Sequence, residues 1–388
     1  MGLSPTMAGA AAIACHPDPV DLSIGEPEGP PPLCVREAAA AAALEGRTRY
    51  GPVAGLPELR DQVAQDLSHR DGVAYTQENV IITSGGKAAI LDALRCVLNP
   101  GDEVLIFAPY WPSFRDQVVL AGGVPVIVPF GEDYLPTLAN LEGSFGALTK
   151  AVILNQPSNP TGCVWDATRI QVLAQLVQRY CAWIIVDQVY GTLTLERPET
   201  PFLRQVPELQ DRCIVVESFS KRFAMTGYRL GAAAGPLPLI GAMVSLASNS
   251  VTHPSMVSQH AGIAALGMDG KWEQAMVTSL RKRRDRMMGE LDGLSGLRLH
   301  PPKGALYLFP NITDWLVDHG VANDIEFVRR LREESGVKVL PGSVFGAKGH
   351  FRISYAGPET EVWEGLRRLR VFLKSRSVCA MAKIGIER

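Results

Sequence analysis

The sequence predicts an α/β protein with a mostly parallel sheet, followed by a smaller α+β unit. Short, β-branched, almost continuously apolar runs recur through the first two thirds of the chain, with helical patterns between them. Runs of that kind mark strands buried on both faces, and their alternation with helices marks a parallel sheet. The length, 388 residues, favours two domains, or one large domain with an appendage, over a single core.

Taken in order, the alanine run Ala38–Ala43 reads as helix. Val80-Ile81-Ile82-Thr83 is the first strand of the pattern. A helix follows from about Ala88 to Leu98, with Ile90, Leu91, Leu94, Val97 and Leu98 on one face, and Asn99-Pro100-Gly101 stops it. Further strands are Val104-Leu105-Ile106-Phe107, Val124-Pro125-Val126-Ile127-Val128 and Ala151-Val152-Ile153-Leu154. The helix after Asp166 places Ile170, Leu173, Leu176, Val177 and Tyr180 on one face. Trp183-Ile184-Ile185-Val186 and Ile214-Val215-Val216 are the next strands. Leu230 to Thr252 has no charged residue, yet Pro236 and Pro238 interrupt it, so it reads as a buried strand, a loop and a helix start rather than a membrane span. Residues 270–293 read as a long polar helix whose charge run, Arg281-Lys282-Arg283-Arg284-Asp285-Arg286, is expected to be a solvated face. Shorter strands near Ala305–Phe309, Val337–Leu340 and Phe351–Ser354 point to the second unit.

Composition narrows the function. With 46% hydrophobic and 20% charged residues the chain is an ordinary globular protein, and a net charge of -2 gives no electrostatic case for nucleic acid or an anionic membrane. The seven cysteines show no CxxC spacing and the seven histidines no paired spacing, so no metal site is expected. Dispersed thiols and the lack of a charged segment ahead of an apolar N-terminal core fit a cytoplasmic protein.

Chemistry collects just past the strand ends, where open α/β sheets bind ligands. Lys221 follows Ile214–Val216, with Ser218 and Ser220 beside it and Arg229 beyond. A lysine so placed can form a Schiff base while its neighbours hold a phosphate, the equipment of a pyridoxal phosphate enzyme. Taken alone, Ser-Phe-Ser-Lys reads equally as a surface turn or as a functional stretch. Ser84-Gly85-Gly86-Lys87 lies between a strand and a helix, where glycines and free N–H groups suit an anion; it is not a nucleotide-binding P-loop, because Ala88 follows Lys87. Asp187 ends a buried strand, where a carboxylate needs a partner such as a protonated pyridine nitrogen, and Tyr190 is within reach of the same ring. Asn155-Gln156-Pro157-Ser158-Asn159-Pro160-Thr161-Gly162 forms a rigid turn that holds Asn159 in place.

In this order and spacing the chain resembles the class I/II aminotransferases of the fold-type I pyridoxal phosphate family, the bacterial aspartate aminotransferase-like subgroup in particular. The resemblance rests on Ser4-Pro5-Thr6, Gly25-Glu26-Pro27, Tyr50-Gly51-Pro52, Ser84-Gly85-Gly86-Lys87, Pro109-Tyr110-Trp111-Pro112, Asn159-Pro160-Thr161-Gly162, Asp187 with Tyr190, the Lys221 stretch, Pro302-Lys303-Gly304-Ala305, Leu340-Pro341-Gly342 and Phe351-Arg352-Ile353-Ser354-Tyr355. It implies a large domain with a mostly parallel seven-stranded sheet, residues 31–269, and a small domain built from 1–30 and 270–388. It implies that Lys221 carries the cofactor as an imine and shuttles the proton, that Asp187 keeps the pyridine nitrogen protonated, and that Tyr190 and Asn159 bond the ring oxygen. Trp111 would stack on the ring. Gly85, Gly86, Lys87, Ser218, Ser220 and Arg229 would bind the phosphate, with Tyr50 reaching it from the other subunit of a homodimer. Arg352 would grip the substrate α-carboxylate, a task lysine does poorly, with Gly25, Asn159, Trp111 and Lys87 around the substrate.

Three departures stand out. Gln188 replaces the usual acidic residue after the pyridine-binding aspartate. Thr252-His253-Pro254 carries histidine where serine is common, and His253 reads either as a residue near the partner's site or as a plain interface histidine. Ser248-Asn249-Ser250 lacks the arginine that some members use for a distal carboxylate, leaving Lys87 as the candidate for that task. The expected activity is transfer of an amino group between an amino acid and a 2-oxo acid by a ping-pong mechanism, possible acidic substrates included. The alternative is another pyridoxal phosphate reaction on the same scaffold: elimination, replacement, carbon–carbon bond formation or racemisation. An inactive cofactor-binding regulator would need a fused helix-turn-helix module, for which no stretch of this sequence is left over.

Overall fold

The computed structural model describes residues 16–196 and 200–384, with side chains through Lys374. The Ser4-Pro5-Thr6 element lies outside the described residues. After the short strand β1 (Val20–Asp21), the strands β2 (Val80–Thr83), β3 (Glu103–Phe107), β4 (Val124–Val128), β5 (Thr149–Asn155), β6 (Trp183–Asp187), β7 (Cys213–Ser218) and β8 (Gly231–Ala234) form one seven-stranded sheet in the order β2-β8-β7-β6-β5-β3-β4. Only β8 is antiparallel to its neighbours, so β2, β5, β6 and β7 open their carboxyl ends on one edge. Two of those strands run further than their apolar residues foretold. Asp187 and the pair Glu217-Ser218 are still hydrogen-bonded in the ladder, because backbone pairing continues past the point where hydropathy changes.

The helix Gly86–Val97 buries Ala89, Ile90, Ala93, Leu94 and Val97 against Ile81, Ile106, Ile153, Ile185 and Ile214 of the sheet. Each of the isoleucine, leucine and valine side chains contributes about 1.5–3 kcal/mol by leaving water, the alanines less. It begins two positions before the expected Ala88, since Gly85 in a left-handed conformation can turn directly into it. The helix Ala167–Arg179 starts as expected behind Asp166, whose side chain accepts the Arg169 N–H at 3.0 Å. A second layer of apolar residues, among them Leu59, Leu67, Leu173, Phe202 and Phe219, covers the other side of the sheet.

Some expectations need correction. Strand β4 is not buried on both faces: Val124 and Ile127 are exposed on this edge strand, which has β3 as its one neighbour in the sheet. The uncharged stretch yields β8 and then a complete helix, Leu237–Ser248, with Pro236 as its N-cap residue; no helix among the described residues is long and apolar enough to cross a membrane. The charge run in the helix Lys271–Leu291 is not uniformly solvated. Arg283 and Arg284 are buried, donating to the Gly357 oxygen at 2.6 Å and the Pro302 oxygen at 2.9 Å, and Arg283 pairs with Glu28. Their aliphatic stems pack while the guanidinium heads reach backbone oxygens, a distinction hydropathy cannot make.

Beyond that helix lie β9 (Tyr307–Leu308), β10 (Val337–Lys338), β11 (Leu340–Pro341) and β12 (Phe351–Ser354). The expected single strand Val337–Leu340 is split between two sheets: β10 pairs with β1, and β11 joins β12 and β9. Trp315, Phe327, Phe351, Ile353 and Tyr355 form a separate apolar cluster here, to which Val20 and Leu22 of the N-terminal segment belong.

Candidate active site

A cavity of about 720 Å³ opens where the carboxyl ends of β2, β5, β6 and β7 meet Tyr307 of β9 and Arg352 of β12. Lys221 stands in the single helical turn Phe219–Arg222 directly after β7. That turn is capped by Ser218, whose hydroxyl accepts the Ser220 N–H at 3.2 Å. The Lys221 ammonium donates to the Gly25 carbonyl at 2.7 Å. Burial, abetted by the positive Arg352 and Arg229 and opposed by Glu26, pushes its pKa down to about 8. Such an amine is neutral often enough near neutral pH to act as a nucleophile.

Asp187 closes β6. One of its oxygens accepts the Val189 N–H at 3.1 Å, and no cation among the described residues pairs with it. Burial, with Glu217 adding repulsion, raises its carboxyl pKa to about 7. A cation in the cavity would meet the need of this carboxylate. At the end of β5, Asn155 accepts the Asn159 N–H at 2.8 Å and donates to the Asp187 carbonyl at 3.2 Å. The Asn159 side-chain oxygen accepts from Arg352 at 2.8 Å. Arg352 is 3% exposed. It also donates to the Ser23 carbonyl at 2.6 Å and lies 4.1 Å over the Tyr307 ring, while its Nε has no partner. A buried guanidinium without an acid beside it is a receptor for one. The Tyr190 hydroxyl meets that of Tyr307 at 2.9 Å, and burial raises the Tyr190 pKa well above its ordinary value.

The remaining polar groups form an anion cradle. Gly85 turns with φ 86°, and a Cβ there would lie 2.7 Å from the Arg229 guanidinium. Gly86 and Lys87 begin the following helix, with N–H groups that have no earlier carbonyl to bond. Arg229, itself left-handed at φ 52°, donates to the Thr226 carbonyl at 2.9 Å and the Ser220 hydroxyl at 3.4 Å. An anion cradle at one end, an unpaired carboxyl at the other and a lysine between them fit pyridoxal phosphate, with its phosphate and its basic ring nitrogen.

Lys221, Asp187, Tyr190, Asn159, Trp111, Gly86, Lys87, Ser218, Ser220, Arg229, Gly25 and Arg352 all line this one cavity. Gly85 backs the cradle from behind. Tyr50 does not join them: it is 91% exposed and meets His253 edge-on at 6.0 Å. His253 holds that loop: its Nε2 accepts the Gly51 N–H at 3.0 Å, and its Nδ1 lies 2.8 Å from the Pro254 carbonyl. Sequence reasoning missed Tyr307 and Asn155 as cavity residues. Asn155 had a usable signal, a polar residue ending an apolar strand; Tyr307 had none, since an aromatic among apolar residues reads as core.

Fold and site define a pyridoxal phosphate-dependent enzyme on an α/β scaffold. The chain belongs to the aminotransferase class I and II family, which matches residues 17–369. It is 35% identical over 364 residues to the aspartate/prephenate aminotransferase of Cereibacter sphaeroides, spanning 92% of this chain and 91% of that one. Over 363 residues it is 35% identical to the aspartate aminotransferase of Geobacillus stearothermophilus, 93% and 92% of the two chains. Among solved structures, aspartate aminotransferase from Rhizobium meliloti superposes with a TM-score of 0.90 at 33% identity over 97% of each chain. The Thermus thermophilus aspartate aminotransferase with maleate gives 0.87 at 34% identity, over 95% of this chain and 96% of that one. The fold is therefore type I, and the protein is a pyridoxal phosphate-dependent aminotransferase acting on amino acids and 2-oxo acids; nothing favours the alternative reactions.

Proposed function

We propose that this aminotransferase takes its amino group from an acidic amino acid, in a site made by Lys221, Asp187, Arg352 and Lys87, and works as a cytoplasmic homodimer. Arg352, a buried cation without an acidic partner facing the cavity that holds Lys221, carries the amino-acid reading, and the Lys87 ammonium on the same cavity wall carries its acidic side chain. Bound pyridoxal phosphate supplies the electron sink for the pair left by the substrate's Cα–H bond and holds the amino group between half-reactions. The chain's own groups do the rest. The Lys221 amine accepts and returns the proton, for which a pKa of about 8 suits it. Asp187 would hold a proton on the ring nitrogen, Tyr190 and Asn159 would bond the ring oxygen, and Trp111 would pack on the ring, all four lining the cavity. Gly86 and Lys87 through their backbone N–H groups, and Ser218, Ser220 and Arg229 through their side chains, would hold the phosphate. Arg352 orients the α-carboxylate with two parallel hydrogen bonds.

For the distal carboxylate we assign Lys87. Its ammonium lies 4.8 Å over the Trp111 ring on the cavity wall and forms no ion pair among the described residues. The aspartate aminotransferase names of the relatives support an acidic donor. The division into residues 31–269 and 1–30 with 270–388 has the same logic: the first part contributes Lys221 and Asp187, the second Gly25 and Arg352, with the substrate between them. Exposed Tyr50 suits a residue that completes its partner's site.

Mixing the holoenzyme with a panel of donors and following loss of the cofactor's visible band tests the reading. Aspartate or glutamate should react at least about tenfold faster than alanine, and Lys87→Ala should erase the preference. Equal rates for acidic and apolar donors would remove the acidic assignment, and a Lys221→Ala protein transaminating at the wild-type rate would remove the mechanism.

A further inference from the structure

A group of charges beside the ends of β6 and β7 has no part in the mechanism above: Asp66, Arg70 and Asp71 on the helix Pro57–Asp71, Glu217 on β7, and Arg222 after Lys221. Arg70 is its hub. It donates to the Gln188 side-chain oxygen at 2.7 Å and to the two Glu217 oxygens at 2.8 and 3.3 Å. Gln188 directly follows Asp187, and its own N–H donates to the Val216 carbonyl at 2.9 Å. Glu217 directly precedes Ser218. Arg70 thus ties the residue after the pyridine-facing carboxylate to the residue before the phosphate-facing serine. The chain is shaped for this approach: a Cβ at Gly191 would lie 2.9 Å from the Arg70 guanidinium.

The other end of Gln188 matters as much. Its side-chain nitrogen donates to Asp71 at 3.4 Å. Asp71 is 0% exposed, and its second oxygen has no partner. Arginine carries only donors, so the amide must turn its oxygen toward Arg70 and its nitrogen toward Asp71. A glutamate at 188 would keep the first contact and turn the second into carboxylate against carboxylate. Asp66, Asp71 and Glu217 already share Arg70 and Arg222, so no spare cation would offset the added charge.

We propose that Arg70 is a positioning residue of the cofactor site, clamping the ends of β6 and β7 together through Gln188 and Glu217, and that residue 188 must be a neutral amide because Asp71 stands behind it. The proposal rests on the reading that Asp187 and Ser218 hold the cofactor. It explains the departure at Gln188 by a second residue, Asp71, rather than by a change of reaction.

The test is a mutant cycle of Gln188→Glu, Asp71→Asn and the two combined. It is read as the unfolding midpoint of the cofactor-free protein and as the pyridoxal phosphate concentration that half-saturates it. Gln188→Glu should lower the midpoint and weaken cofactor binding about tenfold, and Asp71→Asn in the same chain should restore the midpoint and bring affinity to within about twofold of wild type. A Gln188→Glu protein that behaves as wild type, or a double variant no better than the single, overturns the proposal. Where Gln188→Glu fails to fold, a folded double variant supports it and an unfolded one overturns it. Arg70→Lys keeps the charge and loses the fork; it should raise the half-saturating concentration about fivefold, and unchanged binding overturns the clamp. The underlying reading fails separately: Asp187→Asn with unaltered cofactor affinity and spectrum would end it, while coupling between 188 and 71 in the cofactor-free protein would persist.

Discussion

Lys221 shows how burial makes a reagent from an ordinary side chain. Its amine is pushed from 10.5 down to about 8, chiefly by desolvation. Between those values the folded protein binds fewer protons at this site than the unfolded chain does, so stability rises with pH across that window. Urea unfolding of the cofactor-free protein between pH 7 and 10, compared with Lys221→Met, should show wild type gaining on the variant above about pH 8. A gap that stays constant with pH would mean that the lysine is solvated. At this scale the sequence was informative wherever a polar residue interrupts apolar surroundings. Lys221, Asp187 and Asn159 follow apolar strands, and Arg352 lies inside one. It was uninformative for Tyr307, whose hydroxyl meets Tyr190 and whose ring underlies Arg352, because nothing local separates a cavity-facing tyrosine from a core one. His253 resolves into a residue that holds the Tyr50–Gly51 loop by a ring nitrogen.

Among the elements, the junction of β2 with the helix Gly86–Val97 concentrates several constraints in few atoms. Gly85 is left-handed and pressed against Arg229. Alanine there would meet backbone strain and displace the guanidinium from the anion cradle together. Gly85→Ala should cost about 1–3 kcal/mol of stability and weaken pyridoxal phosphate binding by about tenfold or more; thermal melting and cofactor titration measure the two effects. If melting falls while cofactor binding holds, the cradle does not depend on this turn. The strand and helix types were legible from hydropathy, while their ends were not. Asp187 and Ser218 sit in strands by virtue of hydrogen bonds to neighbouring strands, a non-local cause. The same holds for the split of β10 from β11, which depends on where β1 and β12 arrive.

Across the whole molecule, apolar residues gather around the large sheet and in a separate cluster that includes the N-terminal Val20 and Leu22. The cavity lies where the two regions meet, so Gly25, Ser23 and Arg352 come to Lys221 across long sequence separations. The proposed dimer extends this logic to a second chain, since Tyr50 is exposed beside a loop held by His253. A mixture of Lys221→Ala and Tyr50→Ala proteins, each of low activity, should recover about a quarter of wild-type activity after random subunit exchange, because half the dimers are hybrids with one intact site each. No recovery, in a mixture shown to exchange subunits, would mean that Tyr50 serves its own chain or none.

The sequence by itself determined the alternation of strands and helices, the lysine, the aspartate and the arginine of the site, and the family they belong to. These are properties of local hydropathy, turn chemistry and motif order. The tertiary structure alone decided which polar side chains face the cavity, that Arg283 and Arg284 are buried, and that Arg70, Gln188, Asp71 and Glu217 form one group. Hydrogen bonds between distant residues and the burial of charge depend on where the chain folds back, and no single stretch of sequence encodes that.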